Sequence, residues 1–212
     1  MASYSKGKPE DAKVTEVINL SSKDAKWMKL EKIKYIDPLG KNRDWECASR
    51  TTRVEGSDVD GVGVLAILLK PTGTEVVLQK QFRAPLGGVC IETPAGLMDP
   101  NETIEECALR ELKEETGYFG SKVIDQSPII YNDPGFCNTN LSLVVVEIDL
   151  NDERNKNPVP QLEENEFIEN FTVLLKDLPE ELNKLEEQGY YLDARVQNVA
   201  AGIKIARTYK LF

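Results

Sequence analysis

The sequence predicts a mixed α/β (α+β) protein, in which helices pack on one mixed sheet and a small antiparallel β unit precedes it. Three observations carry this. Hairpin-like strand pairs fill most of the first ninety residues, a strongly capped helix begins near residue 104, and three more strands precede two closing helices. A length of 212 residues suits one compact unit with a small appended piece.

Residues 1–13 read as a polar, disordered tail. Trp27–Ile36 and Asp44–Arg53 flank a Pro38-Leu39-Gly40 turn, and WMKLEKIKY alternates as a half-buried strand should. Residues 14–56 are therefore read as an N-terminal β subdomain, with the polar stretch EGSDVDG as boundary and 57–212 as the main domain. Val62–Leu69 and Thr74–Phe82 form a second, more apolar hairpin around Pro71-Thr72-Gly73, and Val89–Thr93 reads as a short strand. A helix is expected over Ile104–Thr116: Thr103 is its N-cap, Glu106 completes a capping box, and Gly117 stops it. Strands follow at Lys122–Ile130, Leu141–Leu150 and Phe167–Leu174. The Pro-, Asn- and Glu-rich loop 151–165 is long enough to suggest function. Helices near Pro179–Glu187 and Asp193–Ala206 close the chain, the second with an apolar stripe of Val196, Val199, Ala200, Ile203 and Ala206.

Composition narrows the chemistry. The net charge of −10, from 26 basic against 36 acidic residues, disfavours nucleic-acid partners. There is no histidine, which excludes Ser-His and Cys-His nucleophilic mechanisms and His-ligated metal centres. The four cysteines have no CxxC spacing and read as reduced thiols. No apolar stretch approaches a membrane span, and MASYSKGKPEDAK resembles neither a signal nor a transit peptide. The expectation is a cytoplasmic protein with no membrane partner, nuclear entry being left open.

The informative segment is residues 96–118, GLMDPNETIEECALRELKEETGY. At 100° per residue, Glu111, Glu114 and Glu115 share about one 100° arc of the helix, beside an apolar arc of Ile104, Ala108, Leu109 and Leu112. This places the carboxylates at the edge of the core, in the last turns, where the helix dipole disfavours negative charge. Arg110 can reach Glu114, and a divalent cation would offset more; oxygen ligands without His or Cys suit Mg²⁺ or Mn²⁺. A solvated acidic face is the bland alternative, but the spacing is specific. Gly96, Glu102, Arg110, Glu111, Leu112, Glu114, Glu115, Gly117 and Tyr118 resemble the Nudix box: Gly, five residues, Glu, seven residues, Arg-Glu-apolar-x-Glu-Glu-x-Gly-apolar. Its one departure is Tyr118 in the final apolar place.

The resemblance implies a Nudix α/β/α sandwich that hydrolyses a nucleoside diphosphate linked to another group. Glu111, Glu114 and Glu115 would hold Mg²⁺, with Arg110 orienting them. Outside the box, KWMKLEK, DWECASRTTR, QKQFRAPLGG, IETPAGL, NDPGF, NEF and LDARV resemble the eukaryotic ADP-ribose (ADP-sugar) pyrophosphatases, and Pro134, sixteen positions after Tyr118, matches a proline that marks that group. By the same resemblance Trp27 and Trp45 stack on adenine, one from each subunit of a swapped homodimer, and Glu46 meets the adenine edge. Arg50 and Arg83 clamp phosphates. Ala95 lends a carbonyl to a metal, Leu97 lines the site, and Asp133 and Gly135 meet the terminal ribose. Glu166 acts as base or positions the attacking water. The implied substrate is a small nucleotide sugar. Rival readings are a Nudix hydrolase of oxidised or capped nucleotides and a non-catalytic ADP-ribose sensor.

Overall fold

The computed structural model describes residues 7–211. A hairpin forming its own two-stranded sheet comes first, β1 (Met28–Ile36) paired antiparallel with β2 (Asn42–Arg50), and Ala48 of β2 bridges to Cys137. The main sheet draws on β3 (Gly61–Lys70), β4 (Gly73–Arg83), β5 (Gly88–Glu92), β6 (Ala95–Leu97), β7 (Lys122–Gln126), β8 (Ile130–Tyr131), β9 (Asn140–Ile148), β10 (Ile168–Leu174) and β11 (Tyr191–Leu192). Its main path runs β11-β5-β4-β3-β9-β7, with β10 paired to β4, β6 to β3 and β8 to β9. The β3–β9 and β5–β11 pairings are parallel and the rest antiparallel.

Helix α1 (Ile104–Thr116) covers one face of this sheet; α2 (Leu178–Glu187) and α3 (Ala194–Tyr209) cover the other. Strand alternation supplies both cores. Val62, Val64, Ala66 and Leu68 of β3 face Cys107, Ala108 and Leu112 of α1, while Leu65 and Ile67 point to the layer of Leu178, Leu182, Val196 and Ala200. The layers are those of the expected α/β/α sandwich. In α3, Val196 and Ala200 are buried, and Val199 and Ile203 pack beside them.

Several ends shift by one to three residues, as in β2, expected over Asp44–Arg53, and α3, expected over Asp193–Ala206, and two differences are larger. The strand expected over 122–130 is split, because Pro128 has no N–H with which to continue the ladder that Ser127 still makes to Leu143. Where a loose tail was expected, residues 1–6 lie outside the described residues and Pro9–Asp11 form a 3₁₀ turn. Pro9 is buried there, and Glu10 accepts a hydrogen bond from the Tyr190 hydroxyl at 2.8 Å and lies 3.4 Å from Lys80.

Candidate active site

Helix α1 starts and stops where local chemistry dictates. Thr103 Oγ1 accepts from the Glu106 N–H, and Glu106 accepts from the Thr103 N–H at 2.8 Å. Gly117, at φ 79°, closes the helix in the left-handed region, which a glycine enters without strain. The buried face holds Cys107, Ala108, Glu111, Leu112, Glu115 and Thr116. Glu111 and Glu115 are thus inside the core face, not at its edge as the helical arc suggested. Burial pushes both carboxyls above their ordinary range, Glu115 to about 8, and the Glu111 charge adds to the effect on Glu115.

Arg110 organises the cluster. Its Nε and Nη2 donate to the two Glu102 oxygens at 2.8 and 2.9 Å, and its Nη1 donates to Glu111 at 2.7 Å and Glu114 at 3.1 Å. Nη2 also donates to the Leu97 carbonyl at 3.0 Å, which ties the helix to the β6 segment. Glu115 accepts from the Ala95 N–H at 2.9 Å and from Gln79 at 3.2 Å. A methyl group at Gly96 would overlap the Glu111 carboxylate and displace that side chain.

The long loop is held against the end of α1. Asn155, buried, accepts from the Phe119 N–H and donates to the Phe119 and Asp149 carbonyls, and the Gln161 N–H donates to the Glu114 carbonyl at 2.7 Å. A side chain at Gly117 would strike the Val159 backbone. These contacts deliver Glu163 and Glu166 to the same cleft as Glu111 and Glu114, a space of about 440 Å³ that Ala95, Gly96 and Leu97 also line.

A second cavity, of about 690 Å³, shares Ala95-Gly96-Leu97 in its lining and brings together Arg50, Arg83 and Arg195 with Asp60 and Asp193. Arg83 is fixed by a bidentate pair with the buried Glu92, both bonds 2.6 Å, which raises the guanidinium pKa further. One short strand therefore lines both an acidic cleft and a more basic one, an arrangement suited to a cation in the first and phosphate oxygens in the second.

The remaining expected residues sit on the hairpin and on loop 133–138. Trp45 donates its indole N–H to the Gly135 carbonyl at 3.1 Å, beside Asp133 and Pro134. Glu46 is exposed on β2. Trp27 precedes β1 near Thr51, six positions along the hairpin from Trp45, which at strand spacing is roughly 20 Å. The structure thus gathers Glu111, Glu114, Glu166, Arg110, Ala95 and Leu97, sets Arg50 and Arg83 next to them, and keeps the two tryptophans apart.

Sequence reasoning missed Glu92, Gln79 and the Asp193–Arg195 pair, in which Asp193 caps α3 and accepts from Arg195 at 2.8 and 2.7 Å. LDARV carried a signal for the last, an acidic N-cap two residues before an arginine. Among the described residues no three acidic side chains form a ready-made cation cage. The local reason is that Arg110 holds Glu111 and Glu114 while Glu115 turns to Ala95. The donor set nonetheless fits a hard divalent cation: it is all oxygen, and its buried carboxyls are destabilised when charged, which a cation would relieve.

The fold and this site define a Nudix protein, and comparison of the sequence with known families agrees: residues 59–194 match the NUDIX domain, so the chain belongs to that family, whose hydrolases generally use a divalent metal. It is 57% identical over 209 residues to an ADP-ribose pyrophosphatase of Saccharomyces cerevisiae, covering 97% of this chain and 90% of that one. It is 41% identical over 187 residues to the ADP-sugar pyrophosphatase of Mus musculus, covering 87% and 85%. An uncharacterized Nudix hydrolase of Schizosaccharomyces pombe is 48% identical over 197 residues, covering 93% and 95%.

Proposed function

We propose that the protein is an ADP-ribose diphosphatase, in which ADP-ribose and water give AMP and ribose 5-phosphate with Mg²⁺ as cofactor. The observation that carries this is the adjacency of the acidic and basic clefts across Ala95-Gly96-Leu97. The near full-length likeness to a yeast ADP-ribose pyrophosphatase supports the substrate. Glu111, Glu114 and Glu115, with the Ala95 carbonyl, would hold the cation; Mn²⁺ fits the same donors. Bound there, it would neutralise phosphate charge and make a coordinated water more acidic.

The chain's own residues do the rest. Arg110 sets the rotamers of Glu111 and Glu114. Arg50 and Arg83 hold the diphosphate, Arg83 with its orientation fixed by Glu92. Glu166, half-buried at the mouth of the acidic cleft, accepts a proton from the attacking water or aligns it. Leu97 lines the site and Asp133 meets the terminal ribose.

Trp27 and Trp45 bind adenine, with Glu46 at its edge. A pair roughly 20 Å apart along one hairpin cannot sandwich one base, so a second copy supplies the other indole. The hairpin suits such a contact. Leu30 and Ile36 are 68% and 70% exposed. The reading is therefore a homodimer joined through residues 14–56, and a monomeric mass at micromolar concentration in sedimentation would contradict it. The four unpaired thiols support a cytoplasmic location.

The substrate assignment is tested by chromatography of products from ADP-ribose, ADP-glucose, NADH and 8-oxo-dGTP under one set of conditions. AMP should appear fastest from ADP-ribose. Faster cleavage of another nucleotide would leave the family standing and overturn the substrate.

A further inference from the structure

We propose that Asp60 is a positioning residue that holds the substrate loop 133–138 in place through Arg53 and Asn140. Its effect on substrate binding rests on the diphosphatase reading above. Asp60 is 4% exposed, and its two oxygens accept from Arg53 Nε at 2.8 Å and Nη2 at 3.0 Å. Oδ2 also accepts from the Asn140 N–H at 3.0 Å, while the Asp60 N–H donates to Asn140 Oδ1 at 2.8 Å. Asn140 in turn donates to the Asp58 carbonyl at 2.8 Å. Arg53 Nη2 reaches on to the Asn138 carbonyl at 3.0 Å.

One buried carboxylate therefore joins four pieces of chain: the residues just after β2, the segment into β3, the start of β9, and the end of the loop. The rest of the loop hangs on the same hairpin. The Ala48 N–H donates to the Phe136 carbonyl at 3.1 Å, the Asn138 N–H to the Ala48 carbonyl at 3.4 Å, and Trp45 to Gly135.

Asp60 lines the basic cavity together with Arg50. Its carboxylate makes none of its hydrogen bonds to Glu111, Glu114 or Glu166. Loosening this hub should consequently impair substrate capture and spare the hydrolytic step.

The test uses the full chain with Asp60→Asn, which keeps the size and one acceptor, and with Arg53→Lys, which keeps the charge but cannot bridge both oxygens. Each variant is expected to raise KM for ADP-ribose about tenfold with kcat within about twofold, the loss of one charge-assisted hydrogen bond. The double variant should be little worse than the weaker single one, because both changes break the same link. Without any substrate, amide exchange at Ala48, Phe136 and Asn138 should quicken while that of α1 is unchanged. Unchanged KM and unchanged loop exchange would overturn the proposal, as would exchange that quickens throughout the protein. If Asp60→Asn does not fold, Arg53→Lys, at a side chain 31% exposed, carries both readouts. Wild-type protein inert toward ADP-ribose would refute the functional reading alone, since the exchange measurement would still decide the role of Asp60.

Discussion

Replacing Glu115 by Gln is expected to lower kcat for ADP-ribose by about 10²–10³-fold, the scale of losing one preorganised electrostatic group in a reaction centre. The same change should stabilise the protein in chelator at high pH. The Glu115 carboxyl, 4% exposed, is raised by burial from an ordinary 4.5 to about 8. Between those values the folded state keeps a proton that the unfolded state has lost. The contribution of Glu115 to stability is therefore most favourable below about pH 4.5, falls as pH rises, and reaches its minimum above about 8. The whole penalty is roughly 5 kcal/mol. Glutamine has no proton to lose and can still accept from the Ala95 N–H, so the variant should show a flatter melting-temperature profile from pH 5 to 9. A residue kept at this cost in stability is expected to be functional. Near wild-type turnover by a folded Glu115→Gln variant would remove Glu115 from the reaction.

Arg83→Ala should damage both binding and stability, for separable reasons. Loss of the guanidinium proposed to bind phosphate is expected to raise KM by about 10–100-fold. It also leaves Glu92, whose side chain is 5% exposed, without its bidentate partner. The Arg83 side chain is 43% exposed, so solvent screening limits the destabilisation to about 1–3 kcal/mol. Adding Glu92→Gln should restore the melting temperature without restoring KM. Recovery of both would make Arg83 structural only, and recovery of neither would mean that Glu92 is not the source of the instability.

Much of the fold was legible in the sequence because its signals are local. The bounds of α1 match the expected Ile104–Thr116, since a capping box and a left-handed glycine act within a few residues. The hairpins around Pro38-Leu39-Gly40 and Pro71-Thr72-Gly73 were legible for the same reason. What escaped depends on partners distant in the chain. Strands β6 and β11 exist only through pairing with β3 and β5 and carry no periodicity of their own. The Asp60–Asn140 link spans eighty residues. The depth of Glu111 and Glu115 was hidden because acids at i and i+4 beside an apolar stripe look like its solvated edge. Only the packing of Gly96 and Gln79 against them shows them to be inside. The site's members were named by the box and the flanking segments, whereas its division into acidic and basic halves needed the structure.

In the proposed function these halves act on one diphosphate with a divalent cation. The most direct measurement is product stoichiometry from ADP-ribose with Mg²⁺ and, in parallel, with chelator. The expected result is equimolar AMP and ribose 5-phosphate with Mg²⁺ and no product with chelator. Products other than this pair, or turnover unaffected by chelator, would overturn the proposed function.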